Sequence, residues 1–146
     1  MKPGTMILST ALVVLAACSG AGHRADATPV TVSLRNGGAA PIDCRLIFGH
    51  WVERDLGTLK PGESVSFPVE QQPSDGALFV MRPDGGARMM IEVIQCGQFP
   101  DWLTSVGQVD FTPARRQRVS AITATCSLPP AGGRIVCPPA ELSPVP

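Results

Sequence analysis

The side chains able to do chemistry are few and widely spaced. Five cysteines stand at Cys18, Cys44, Cys96, Cys126 and Cys137. No Cys-x-x-Cys or Cys-x-x-His spacing occurs among them, so no zinc site is expected. His50 shares the strand parity of Cys44, Leu46 and Phe48 and is followed by Trp51. Paired with Glu92 it would titrate near neutrality. That pair has neither a nucleophile motif nor a third orienting group. The plainer expectation is a solvent-facing imidazole at a strand end. Met81, Met89 and Met90 cluster across one hairpin. Thioethers bind Cu(I), and His50 could join them, giving a copper or small-ligand reading. Without a Met-x-x-Met repeat, Met89 is expected to fill the core and the other two to fill gaps. Arg115-Arg116-Gln117-Arg118 is the one charge run. It could meet lipid headgroups or cell-wall carboxylates, but a polybasic lipid site needs about 4–8 cations. A solvated turn or a guard on a sheet edge is expected instead. No acid/base pair or triad emerges by spacing, so neither an enzyme nor a cofactor is expected.

Composition narrows the classes further. Twelve Lys and Arg balance twelve Asp and Glu, and 16% of residues are charged. Nucleic-acid binding is therefore not expected. Gly and Pro number 15 each in 146 residues. That is well above the usual ~12% for the two together and excludes a coiled coil or helical bundle. The 44% apolar content argues against a wholly disordered chain.

The first residues read as an address. Met1-Lys2 gives a positive start, and residues 6–17 (MILSTALVVLAA) carry no charge. Twelve apolar residues fall short of the ~20 that cross a bilayer but suit a signal-peptide core. The run ends in Leu15-Ala16-Ala17-Cys18, which resembles the lipobox of bacterial lipoproteins. The resemblance implies cleavage before Cys18 and acylation of that cysteine, with the membrane as partner through the lipid. Two or more acyl chains anchor stably where one does not. Ser19 follows, where an Asp would favour inner-membrane retention in lipoproteins of enteric type. The resemblance therefore implies the periplasmic face of the outer membrane. An ordinary secretory site at Ala25-Asp26-Ala27 is the alternative, although it lies well beyond the apolar run.

Four segments result: a signal peptide at 1–17, a lipidated flexible tether at 18–29, one domain at 30–137 and a Pro-rich extended tail at 138–146. Within the domain, apolar residues recur with period two between short turn signals, which predicts short antiparallel strands. The expected class is all-β, a small antiparallel β-sandwich or partly open barrel. A weak helical piece is expected near residues 99–105.

Two hairpins have registers that follow from their turns. An Asp84-Gly85 loop of type I′ puts Val80 opposite Met89 and Leu78 opposite Ile91, with Val93 continuing that core face. An Ala131-Gly132 loop puts Cys126 opposite Cys137, suitable for a cross-strand disulfide in a non-hydrogen-bonded pair. Setting Cys18 aside leaves four cysteines and three possible pairings. The hairpin favours Cys126–Cys137, which leaves Cys44 with Cys96. Cys96 has the parity of Met90 and Glu92, the mixed face, so a core bridge requires either a bulge near Gln95-Cys96-Gly97 or a mixed face that is itself covered.

Asn36-Gly37-Gly38 and the stretch Leu56-Gly57-Thr58-Leu59-Lys60-Pro61-Gly62-Glu63-Ser64 are similar to strand-and-corner segments of extracellular immunoglobulin-like modules. The resemblance implies an immunoglobulin-like sandwich, without the tyrosine corner, since the chain has no Tyr. The function expected from all this is non-enzymatic: a lipid-anchored cell-envelope protein that binds or scaffolds an envelope protein or cell-wall component.

Overall fold

Alternation along the first strand sets the pattern for the body. In β1 (Thr28–Asn36), Val30, Val32 and Leu34 turn inward and are buried, while Thr31 and Arg35 face water. The computed structural model describes residues 27–49, 52–82 and 86–146. Among these, eight further strands follow: β2 (Ile42–Phe48), β3 (Glu53–Leu59), β4 (Ser64–Gln71), β5 (Leu78–Met81), β6 (Arg88–Gly97), β7 (Gly107–Val109), β8 (Val119–Cys126) and β9 (Glu141–Pro144). One short helix, α1 (Trp102–Ser105), falls where helical character was expected. A 3-10 turn spans Ala114–Arg116. The all-β class holds.

The strands run in the order β3-β2-β6-β5-β4-β1-β8-β9, with β7 added on β6, and the sheet does not close. Strand β6 belongs to two ladders. Its first half pairs β5, and its second half pairs β2 and β7. The inward residues of both halves join one core, in which Leu34, Leu46, Ile94 and Ile122 are fully buried.

The β5–β6 register is the expected one, with Val80 opposite Met89. The turn residues 83–85 lie outside the described residues. Core parity along β6 departs from expectation. Ile47 pairs Val93 but Phe48 pairs Ile91, so Glu92 is an extra residue. The bulge therefore sits three residues before Gln95, not at residues 95–97. The physical reason is the change of partner: β6 leaves β5 and joins β2 at this point. The extra residue flips parity, so Ile91, Ile94 and Cys96 all point inward while Val93 is only half-buried. Cys44 and Cys96 are register partners joined by a disulfide, with Cα atoms 4.2 Å apart. Cys126 and Cys137 form the second bridge. Its flanking residues Ser127 and Val136 exchange both backbone hydrogen bonds, so the cysteines occupy the non-hydrogen-bonded position.

Three expectations need correction. The sheet is mixed rather than antiparallel throughout, because β1 and β8 run parallel. After β7, the 3-10 turn returns the chain to the end of the body where β1 begins, so β8 starts beside β1 and runs with it. Arg118, just before β8, donates to Thr28 Oγ1 at 2.9 Å. The segment assigned to the tether ends sooner, since Thr28 and Pro29 already pair Gln71 and Glu70 in β4. The tail is no free extension either. Residues 141–144 form edge strand β9 on β8, and Ala140 and Leu142 pack on the core. Proline is compatible with an edge strand, which needs donors on one side only.

The two buried amides mark opposite ends of β1. Asn36, fully buried, donates through Nδ2 to the carbonyls of Ala40 and Leu59 and accepts from the Gly38 N–H. Gln71, opposite Thr28, donates to the carbonyls of Ala114 and Gln117 and accepts from the Val119 N–H. Each amide thus ties three chain segments together at its own pole.

Candidate functional site

The outer face of the β2–β3 hairpin carries polar side chains because the inner face carries the core. Asp43 and Arg45 flank the inward Cys44. Across the ladder stand Thr58 opposite Asp43 and Asp55 opposite Arg45. A second bulge separates them: Leu56 is the extra residue, and Gly57 takes φ of +87°, a left-handed value that favours glycine. Asp55 Oδ1 accepts the Gly57 N–H at 2.8 Å and fixes this bulge. The Thr58 hydroxyl donates to Asp43 Oδ1. Arg45 pairs with Glu53 near the surface, a contact worth at most about 1 kcal/mol.

The other wall comes from the chain after β6. Gly97 faces outward beside Asp43, and the Trp102 ring lies against it. A Cβ on Gly97 would stand 2.6 Å from Trp102 Cε3. The Arg45 guanidinium carbon lies 3.7 Å from the centroid of the Trp102 ring. Phe99 stacks with Trp102 at 5.3 Å between centroids. Buried Ser105 holds α1 in place: its Oγ accepts the Gln98 N–H at 2.8 Å, and its carbonyl accepts the Ile135 N–H at 2.7 Å. Gln98 Nε2 donates to the Pro41 carbonyl at 2.9 Å. Phe99 is nonetheless 67% exposed and Leu103 85%.

Together these walls enclose a cleft of about 250 Å³, lined by Asp43, Arg45, Glu53, Asp55, Phe99 and Trp102 among others. Three carboxylates face one guanidinium, so the cleft is acceptor-rich with an aromatic side. Gly97→Ala is expected to push the Trp102 ring off the strand and cost about 1–3 kcal/mol by overpacking. Near-UV circular dichroism and urea unfolding measure both effects; unchanged spectra and midpoint would contradict the packing described.

The residues singled out in the sequence lie elsewhere, apart from Cys44, which lines the cleft. Cys18 and His50 lie outside the described residues, so the His50–Glu92 pairing cannot be placed. Glu92 is exposed on the β6 bulge and lines a wide depression of about 440 Å³ with Asp110, Thr112 and Arg115. The methionines do not share a face. Met89 is on the core side, while Met81 and Met90 are on the outer side of the hairpin, Met90 41% exposed. Arg115 and Arg116 form the exposed 3-10 turn near the start of β1. No group of three His, Cys, Asp or Glu side chains suited to a metal occurs among the described residues.

Beside that turn, the Thr112 side chain and backbone N–H bond Asp110, and Arg115 and Arg116 add positive charge, so the Asp110 carboxyl is held below the usual range. A depressed carboxylate contributes stability above its unfolded value and loses it as pH falls through the folded value. Asp110→Asn is therefore expected to be less stable than the parent at pH 7, with the gap closing as pH falls below about 4. Urea midpoints across pH measure this, and a gap independent of pH would contradict it.

No family model matches the chain, and no curated protein matches it. One solved structure, an NMR structure of a protein from Eubacterium rectale, is similar at 14% identity, over 84% of this chain and 98% of that one, with a TM-score of 0.43.

Proposed function

We propose that this chain is a lipid-anchored protein of the bacterial cell envelope, acylated at Cys18, which binds or scaffolds another envelope component and catalyses nothing. The reading places it on the periplasmic face of the outer membrane. One observation supports it most: Leu15-Ala16-Ala17-Cys18 closes an uncharged apolar run. The layout of the body is compatible with such an anchor. The chain enters at Thr28, one end of β1, while the cleft lies toward the other end. There Asn36 bonds the Leu59 and Ala40 carbonyls, and Gln98 bonds Pro41 beside α1. The nine residues of β1 put its two ends about 26 Å apart, at ~3.3 Å for each step between neighbours. An anchored body would therefore have its attachment point at the end opposite the cleft, leaving the cleft free to meet a partner. The covalent link from Cys18 to Thr28 reaches at most about 35 Å.

Membrane fractionation and affinity capture test this together. Cys18→Ser is expected to move the protein from the membrane to the soluble fraction. The parent, extracted in mild detergent, is expected to bring a defined envelope component with it. Retention of Cys18→Ser in the membrane would contradict the anchor. Isolation of the parent alone under several mild conditions would contradict the binding role.

A further inference from the structure

We propose that the cleft beside α1 is a binding site for an uncharged pyranose saccharide. The proposal deepens the binding role above and rests on it, but it does not rest on the lipid anchor. Three observations carry it. The first is a fixed aromatic platform. Phe99 presents its ring to water, yet the ring is stacked on Trp102, which is itself set against Gly97 and Arg45. The C–H face of a pyranose ring packs on such a surface, since its weakly positive hydrogens meet the negative face of the aromatic quadrupole.

The second is a rim of acceptors already held in position. Asp43 is fixed by Thr58, Asp55 by the Gly57 N–H, and Glu53 by Arg45. Each bond uses one carboxylate oxygen. The other oxygen of each has no hydrogen-bond partner among the described residues. Sugar hydroxyls donate well to carboxylates, and bonds to a charged acceptor are the stronger kind. Preorganisation lowers the ordering cost of making them.

The third is the combination of surfaces. Carboxylates outnumber guanidinium three to one in the lining, so an acidic polysaccharide would be repelled. The same excess attracts cations, but Arg45 already lies over the Trp102 ring and keeps a second cation from that face. A lysine-bearing peptide would therefore engage mainly the carboxylates, and it is the competitor the test must include. An uncharged pyranose uses the exposed Phe99 ring and the acceptors together, and about 250 Å³ suits a ligand below the usual drug-sized pocket of ~300 Å³.

The test uses the full mature protein in a detergent without a sugar headgroup. Calorimetric titrations are run with N,N′,N″,N‴-tetraacetylchitotetraose, cellotetraose and maltotetraose, and with tetralysine as the cationic probe. At least one tetrasaccharide is expected to bind saturably with Kd at or below about 1 mM. Phe99→Leu keeps the apolar bulk and loses the aromatic face. Asp55→Asn keeps the oxygen that holds the bulge and loses the free acceptor. Each is expected to weaken binding about tenfold, with circular dichroism unchanged. No saturable binding by any tetrasaccharide overturns the proposal, as does binding indifferent to both substitutions. Saturable binding of tetralysine alone also overturns it and assigns a cationic partner. If an envelope component is still captured from membranes in any of these cases, the binding role stands and only the saccharide falls.

Discussion

Replacing Cys44 and Cys96 together by alanine is expected to lower the unfolding free energy by about 4 kcal/mol. The bridge spans 52 positions, and constraining a loop of that length in the unfolded chain gives roughly that figure in the chain-entropy account. The second bridge spans 11 positions, for which the same account gives about 3 kcal/mol. Folded domains commonly have only about 5–15 kcal/mol in total, so losing the longer bridge removes much of it. The effect reaches the cleft as well. Both sulfurs are buried at the register point where Asp43, Arg45 and Gly97 stand on the opposite face. Loosening β2 against β6 would shift the Arg45–Trp102 contact. Urea unfolding of the oxidised parent and the double variant measures the difference; a loss under about 1 kcal/mol would contradict the role given to this bridge.

Asn36→Ala is expected to cost about 3 kcal/mol. The side chain is fully buried and makes three hydrogen bonds, two of them to partners nearer the surface. Removing it leaves the Leu59 carbonyl unpaired in the interior, at about 1–3 kcal/mol, with smaller terms from Ala40 and Gly38. Asn36→Asp is expected to be worse, since it turns a donor pair toward carbonyls into an acceptor. Both variants should melt well below the parent. A change of less than about 0.5 kcal/mol would mean that water replaces the amide without loss. Gln71→Ala, with three bonds at the other pole, serves as the comparison.

What the sequence made legible was local. Turn dipeptides and strand parity gave the β5–β6 register and the Cys126–Cys137 pairing, because both partners lie within a dozen residues of the turn. A bulge in β6 was legible as one of two ways, beside a covered mixed face, to reconcile the parity of Cys96 with a core bridge. Its position was not, because the bulge belongs where β6 changes partner at Glu92, and partner exchange is a tertiary fact. The parallel β1–β8 pair was hidden for a related reason: alternation looks the same in either direction. Proline content obscured β9, where Leu142 still alternates inward.

The cleft was the least legible feature. His50 and the methionines carry the rarer side-chain chemistry. The cleft instead uses Asp, Glu, Arg, Phe and Trp from three separate segments. Residues 43–45 and 53–58 meet through the hairpin, and residues 99–102 join them only because the Cys44–Cys96 bridge and the Ser105 bonds bring α1 there. One signal was available. Phe99 and Trp102 place two of the chain's seven aromatic residues within four positions, beside a Gly-Gln step and away from the alternating strands.

Intact mass of the protein extracted from native membranes, with and without reduction and alkylation, probes location and scaffold in one experiment. A chain of residues 18–146 carrying acyl groups on its first cysteine is expected. No thiol should react before reduction, and four should react after it. A bare chain beginning at Thr28, or an unmodified Cys18 that alkylates directly, would contradict the anchor on which the proposed role depends.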